Sequence, residues 1–359
     1  NTSGIRNIYV GSSSGKYIQT SDNNINIGHQ TGGINSGGTT RSIIIGHNAI
    51  AHTDCISIGN LVGASLTSGT GNVFIGNNVG TLATSGANNV GIGHSAMSTG
   101  NISGIGNIAL GNESMLKLAL GNNNTAIGTN TMKELVSGSD NVAIGNNALL
   151  NLNTVVSANV AIGNDAMINI TGGGNVAIGK SAMGTTAGGS IAENNTVIGS
   201  FAGLRLATGI NNVFIGREAG NGINISNSNV AIGRRAIANG NDVSECVAIG
   251  HLAMESHLGN QSVAIGANAL RNNGTGERNT AIGYNSMGDT TVSGDDNVAV
   301  GHNTMISLTT GTRNIAIGNL ALNSAETSLN NVAIGYSALN SMTAQSNCVA
   351  IGHNALLNN

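Results

Sequence analysis

The stretch Asn141-Val142-Ala143-Ile144-Gly145-Asn146-Asn147-Ala148-Leu149 decides the fold, because close variants of it recur along all 359 residues of the chain. Each copy joins a short apolar run, rich in Val and Ile, to a glycine. Branched side chains of this kind favour strands, and the glycine supplies a corner where positive φ costs little. Each copy therefore predicts one short strand followed by a turn.

The glycine of this stretch, called here the corner glycine and used as position 0, occurs 21 times between Gly11 and Gly352. The mean spacing of about 17 residues is too short for a pair of helices and suits one coil of a β-solenoid. We therefore predict an all-β fold: a parallel β-solenoid, or β-roll, of about 21 coils. It forms a single continuous domain over 1–359, with irregular first coils over about residues 1–60.

The composition agrees with stacked strands and excludes other classes of protein. The chain has 55 Gly but no Pro, which suits strands that are paired on both edges. Collagen would need Pro and a strict three-residue period. A disordered chain would be more charged than 8% and less hydrophobic than 40%. The net charge of −3 gives no reason to expect nucleic acid as a partner, and no apolar run is long enough to predict membrane insertion.

Residues at −3 and −1 point to one side of the strand and the residue at −2 to the other. Positions −3 and −1 are almost always Val or Ile, so we predict that they fill the coil interior as the structural core. The candidate core residues are Val142, Ile144, Val160, Ile162, Val176, Ile178, Val230, Ile232, Val263 and Ile265.

The side chains at positions −2 and +4 trade volume: in most copies, where one of them is large, the other is small. Position −2 is Ala in 13 copies, and +4 is then large; in the six copies with Gly at +4, position −2 is never Ala. Close packing in one shared space would impose such a trade. We predict a second buried layer that packs between chains, with Ala143, Leu149, Phe74, Gly80, Phe214 and Gly220 as candidates. The alternative is a flattened coil in which −2 folds back under its own turn.

Position −4 is Asn in 16 of the 21 copies. Stacked coils would place these amides about 4.8 Å apart, which permits a hydrogen-bonded ladder. The candidate ladder residues are Asn107, Asn124, Asn141, Asn159 and Asn175. Cys55, Cys246 and Cys348 occupy the same position, which favours a structural role over catalysis, and coil spacing puts Cys55 and Cys246 too far apart for a disulfide.

No motif in the sequence predicts an enzyme. Six of the eight His follow a corner glycine directly, and none is spaced as a metal ligand. Asp295 and Asp296 are adjacent on a variable edge, unlike the separated carboxylates of a glycosidase. We therefore predict no catalytic, cofactor-binding or metal-binding residues.

The strings at 141–149 and Ser262-Val263-Ala264-Ile265-Gly266-Ala267-Asn268-Ala269 resemble the head repeats of YadA-like trimeric adhesins, which also occur in tail fibres of phages and other viruses. The resemblance covers essentially the whole chain. It implies a left-handed β-roll, three chains side by side, and attachment to a glycan or protein receptor on a surface. The period of about 17 residues is longer than the adhesin repeat, and no coiled-coil stalk is present.

The expected function is a non-enzymatic structural fibre or adhesin segment that mediates or extends attachment to a host or environmental surface. The resemblance favours an extracellular, viral tail-fibre-type shaft on a virion. The head of a trimeric adhesin on a bacterial cell surface is the alternative, and a tailspike that depolymerises polysaccharide is a third possibility.

Overall fold

The computed structural model describes residues 4–15, 18, 21–32, 40–150, 156–185, 190–239, 242–272 and 274–357. These residues contain 21 short strands and no helix, and a corner glycine ends or directly follows the apolar run of every strand. The predicted all-β parallel solenoid is confirmed. Of the predicted irregular first coils, residues 1–3, 16–17, 19–20 and 33–39 lie outside the described residues.

The chain divides into two compact units, Asn1–Gly174 and Asn175–Asn359. The strands of the first unit are β1 Ile8–Val10, β2 Ile25–His29, β3 Ile43–His47, β4 Ile56–Asn60, β5 Val73–Asn77, β6 Val90–His94, β7 Ile108–Leu110, β8 Thr125–Ile127, β9 Val142–Ile144 and β10 Val160–Ile162. Those of the second unit are β11 Val176–Ile178, β12 Thr196–Ile198, β13 Val213–Ile215, β14 Val230–Ile232, β15 Val247–Ile249, β16 Val263–Ile265, β17 Thr280–Ile282, β18 Val298–Val300, β19 Ile315–Ile317, β20 Val332–Ile334 and β21 Val349–Ile351. The single domain over 1–359 stays a prediction.

Within each unit, every strand pairs in parallel with the next strand along the chain. The register aligns equivalent positions: Val160 lies beside Val142, and Ile162 beside Ile144. Each repeat position consequently forms a column of equivalent side chains, spaced by the strand separation of about 4.8 Å.

The corners depend on left-handed backbone. The corner glycines have φ between +117° and +145°, a region that suits glycine alone. At Gly145, a Cβ would lie only 2.5 Å from the carbonyl oxygen of Gly163 in the next coil. Position +2 is also left-handed, as at Asn147 (φ 54°), and so is position +4 in most coils, as at Leu149 (φ 53°). Asn and Gly tolerate this conformation best, which accounts for their abundance in the turns.

The interior of each coil is built from positions −2 and +4. Ala143 and Leu149 are 0% and 1% exposed, and Phe74 and Phe214 are equally buried. At Gly220, a Cβ would lie 2.5 Å from Cδ2 of Phe214; at Gly80, it would lie 2.8 Å from Cε2 of Phe74. The assignment of Ala143, Leu149, Phe74, Gly80, Phe214 and Gly220 to packing between chains is therefore wrong. These residues pack inside one chain, as in the flattened-coil alternative.

The predicted core residues lie on the opposite, outer side of the strands. Val142, Ile144, Val160, Ile162, Val176, Ile178, Val230, Ile232, Val263 and Ile265 are all partly exposed in the chain, Ile144 and Ile265 by 37% each. The assignment of these residues to the coil interior is wrong. Successive side chains of a strand point to opposite sides, so the buried residue at −2 leaves its neighbours at −3 and −1 on the outer side.

The asparagines at −4 form a buried ladder between coils. The backbone N–H of Asn141 donates to Oδ1 of Asn124 at 3.1 Å, and its side-chain Nδ2 donates to the same oxygen at 2.9 Å. Nδ2 also donates to the carbonyl oxygen of Val156 at 2.8 Å. The same backbone bond recurs along the ladder: the N–H of Asn124 donates to Oδ1 of Asn107, that of Asn159 to Oδ1 of Asn141 and, in the second unit, that of Asn195 to Oδ1 of Asn175.

Candidate interaction surface

The outward side chains at −3 and −1 of each unit form a surface that we call the Val/Ile face. Strand register aligns Ile249, Ile265 and Ile282 in one column of this face. Every residue at these two positions is Val, Ile, Leu or Thr, so no charge interrupts the face within either unit. Extended exposed apolar surfaces of this kind mark sites of interaction.

In each unit, a second column borders the Val/Ile face, formed by the residues that directly follow the corner glycines; we call it the corner column of that unit. The side chains at this position are exposed in 19 of the 21 coils. Nine of the residues at this position are Lys, Arg or His, and no Asp or Glu occurs there. These residues are Lys180, Arg217, Arg234, His29, His47, His94, His251, His302 and His353. The absence of acids can be read from the sequence alone when this position is compared across all copies.

Rings stack along the corner column of each unit. The rings of His29 and His47 are 5.2 Å apart between centroids. The same arrangement, at 5.3 Å and 5.1 Å, joins Tyr284 to His302 and Tyr336 to His353. These distances follow from the strand spacing, which brings equivalent side chains of neighbouring coils face to face.

Cys246 and His257 form the one contact that resembles a catalytic pair in the described part of the chain. Sγ of Cys246 lies 3.5 Å from Nε2 of His257, and both residues are fully buried. Burial raises the pKa of the Cys246 thiol to about 11 and lowers the pKa of the His257 imidazole to about 4. Both groups are thus neutral at pH 7, and a nucleophilic thiolate is not formed. Burial likewise raises the pKa of Cys55.

The adjacent carboxylates are held in ion pairs. Nε of Arg278 donates to Oδ1 of Asp296 at 2.7 Å, and Nη2 of Arg278 approaches Oδ2 of Asp295 at 3.5 Å. The hydrogen bond from Arg278 holds the pKa of Asp296 below its usual range. A glycosidase acid needs a raised pKa, so this pair does not fit that role.

Glu255 is the most deeply buried carboxylate of the ion pairs between coils. Its side chain is 6% exposed and lies between two guanidiniums, 3.0 Å from Nη2 of Arg235 and 2.8 Å from Nε of Arg271. A buried charge paired on both sides serves structure, because removing either partner would leave it uncompensated.

The described residues include no cluster of three or more His, Cys, Asp or Glu that could hold a metal ion. The part of the chain that the structure covers also has no helix long and apolar enough to cross a membrane.

Comparison of the chain with models of known protein families found no match, and comparison with curated proteins found none either.

Proposed function

We propose that this chain is a non-enzymatic structural segment of an attachment fibre, assembled as a homotrimer through its Val/Ile faces. The observation that carries the proposal is the uninterrupted apolar face, on which Ile side chains such as Ile144, Ile265 and Ile282 are each 37% exposed in the single chain. Packing three such faces against one another would remove this surface from water, at about 25 cal/mol per Å² of apolar area. Side-by-side trimers are also what the resemblance to adhesin head repeats implies.

The setting of the proposal is extracellular, as a tail-fibre-type shaft on a virion or as the head of a bacterial surface adhesin. Two features support an exposed fibre. The backbone is hydrogen-bonded from coil to coil in both units. The chain also has few charged side chains that could disturb the stacking of the coils. The neutral Cys246–His257 pair and the ion-paired Asp296 give no support to an enzymatic role.

The trimer is tested by the mass of the chain in solution, measured by light scattering. We expect three times the mass of one chain, and a monomeric mass would overturn the trimer. The variant Ile265→Lys/Ile282→Lys places two charges on the Val/Ile face and should lower the mass to that of one chain. Its matched control is Ile191→Lys/Ile225→Lys, since these isoleucines are 58% and 54% exposed away from the face; this control should remain trimeric.

Attachment is tested with beads that carry the folded chain, mixed with bacterial and animal cells. We expect the beads to adhere to at least one cell type, and beads carrying heat-unfolded chain not to adhere. Failure to adhere to any cell would contradict attachment by this segment and favour a spacer. Shortened products after incubation with cell-surface polysaccharide would overturn the non-enzymatic role.

A further inference from the structure

The corner column of the second unit begins with five consecutive hydrogen-bond donors. They are Lys180, Ser200, Arg217, Arg234 and His251, and all except the partly buried Ser200 are exposed. Strands β11 to β15 pair in register, so these side chains follow one another at about 4.8 Å over about 19 Å. Hydrogen bonds beyond the strands hold the register through the column, from Arg235 N–H to the Arg217 carbonyl and from Leu252 N–H to the Arg234 carbonyl, both 3.0 Å.

This arrangement is electrostatically unfavourable in the chain itself. Arg217 and Arg234 occupy equivalent positions on neighbouring coils, and like charges directly opposite on paired strands are destabilising. One carboxylate, that of Glu218, compensates in part: it lies 2.8 Å from Nη2 of Arg217 and also 3.6 Å from Nε of Arg235. Positive charge therefore remains in excess where the column is exposed, although the whole chain has a net charge of −3.

The contact of Arg234 shows the same shortage of acceptors. Nη1 of Arg234 lies 3.1 Å from Nε2 of His251. A guanidinium can only donate, so Nε2 of His251 is the acceptor in this contact. An anionic oxygen would be a stronger acceptor for Arg234 than this nitrogen, because it adds the attraction of opposite charges to the hydrogen bond.

We infer that this part of the corner column, Lys180 to His251, binds a linear anionic polysaccharide whose carboxylate or sulfate groups lie along the column. The inference rests on the proposed attachment role and names the class of receptor. A polymer with repeated acidic groups matches a row of donors at regular spacing. Arg217 and Arg234 would each bind acidic oxygens with two parallel N–H groups, and Lys180 would act as a further positive charge.

A nucleic acid fits these residues less well. Nucleic-acid binding depends on neutralising many phosphates with a broad basic surface, whereas the basic residues here form a single column on a chain of net charge −3. DNA binding is accordingly an outcome that the experiment must be able to detect.

The test measures binding of the full chain to immobilised polygalacturonate, dextran sulfate, neutral dextran and single-stranded DNA. We expect binding to at least one of the two acidic polysaccharides, weakening as salt is raised, and none to neutral dextran. The variant Arg217→Gln/Arg234→Gln should bind at least about tenfold more weakly. The matched control Arg205→Gln/Arg313→Gln removes the same charge from exposed sites outside the column and should bind as the unmodified chain does.

A second variant, Arg217→Lys/Arg234→Lys, keeps the charge and should retain more binding than the Gln variant. The inference is overturned if neither acidic polysaccharide binds, if both double Gln variants lose affinity equally, or if DNA alone binds. Mass by light scattering separates this result from the proposed function. A trimer that adheres to cells but ignores the polysaccharides would overturn this inference alone, and a monomer that binds them would overturn only the trimer.

Discussion

At the scale of single residues, the corner glycine combines two requirements that can be separated. Gly335 and Gly352 have nearly equal φ of 134° and 131°. A Cβ on Gly335 would lie 2.4 Å from the carbonyl oxygen of Gly352, whereas a Cβ on Gly352 would meet nothing within 4 Å. An Ala at either position is therefore strained by φ, but only at Gly335 does it also collide with the next coil.

We expect Gly335→Ala to lower the free energy of unfolding by about 2 kcal/mol or more beyond the loss caused by Gly352→Ala. Urea unfolding of the two variants measures the difference directly. Equal losses would mean that φ alone requires the glycine and that the collision between coils relaxes without cost.

The ladder asparagine is the second residue whose role depends on the stack. Oδ1 of Asn124 accepts both donors of Asn141 inside the protein. We expect Asn124→Ala to cost about 2–4 kcal/mol, since each buried donor left unpaired costs about 1–3 kcal/mol. Asn124→Ser should cost clearly less, because Ser262 occupies the same ladder position and accepts the N–H of Asn279 at 3.2 Å. Thermal unfolding of both variants tests the order, and an equal loss would contradict it.

At the scale of one coil, the volume trade between −2 and +4 is a packing rule inside a single chain. Ala143 lies between Ala126 and Ala161 in the register, under its own Leu149. We expect Ala143→Phe to destabilise the chain by about 3 kcal/mol or more through overpacking. Adding Leu149→Gly should recover part of that loss, because coils with Phe at −2 have Gly at +4.

The recovery is measured as a double-mutant cycle on the melting temperature, with Leu149→Gly alone as the third corner. Leu149→Gly should destabilise the chain by itself, since it opens a cavity beside Ala143. If the losses of the two single variants simply add, positions −2 and +4 do not share a space.

The strand itself shows what the sequence could and could not predict. Period, strand positions, corner glycines and parallel pairing follow from local residue types, because turn chemistry and β-branching act within a few residues. The inward side of the strand does not follow, because Val142 and Ile144 on one side and Ala143 on the other are all apolar. Only the packing of the folded coil decides between the two sides: Ala143 and Leu149 are buried in it, and the larger branched residues lie outside.

At the scale of the whole molecule, this reversal changes which residues can meet a partner. The sequence pointed to Phe74 and Phe214 as interchain contacts, yet both are buried in their own coils. The Val/Ile face is instead the candidate surface for contacts between chains, and the corner column lies beside it. The candidate binding residues could not be recognised from single motifs, because Arg217 and Arg234 come together only when coils stack in register.

The pH dependence of stability is also a property of the whole chain, and between pH 7.5 and 4 we expect it to come mainly from one buried residue. Of the eight His, His257 is fully buried, and burial lowers its pKa to about 4. In the unfolded chain its imidazole takes up a proton near pH 6.5. Between about pH 6.5 and 4 the unfolded state therefore binds more protons, so stability falls as the pH falls. The expected loss is on the order of 3 kcal/mol.

Below about pH 4, His257 contributes no further slope, because both states are then protonated. The exposed pairs of Asp54 with Arg41 and of Asp296 with Arg278 are lost there, since hydrogen bonds from these arginines hold both aspartate pKa values low. Urea unfolding from pH 7.5 to 4 should show a slope that His257→Gln largely removes, even if the variant is less stable at pH 7.5. The exposed control His302→Gln should keep the slope, and an unchanged slope in His257→Gln would show that acid acts through other groups.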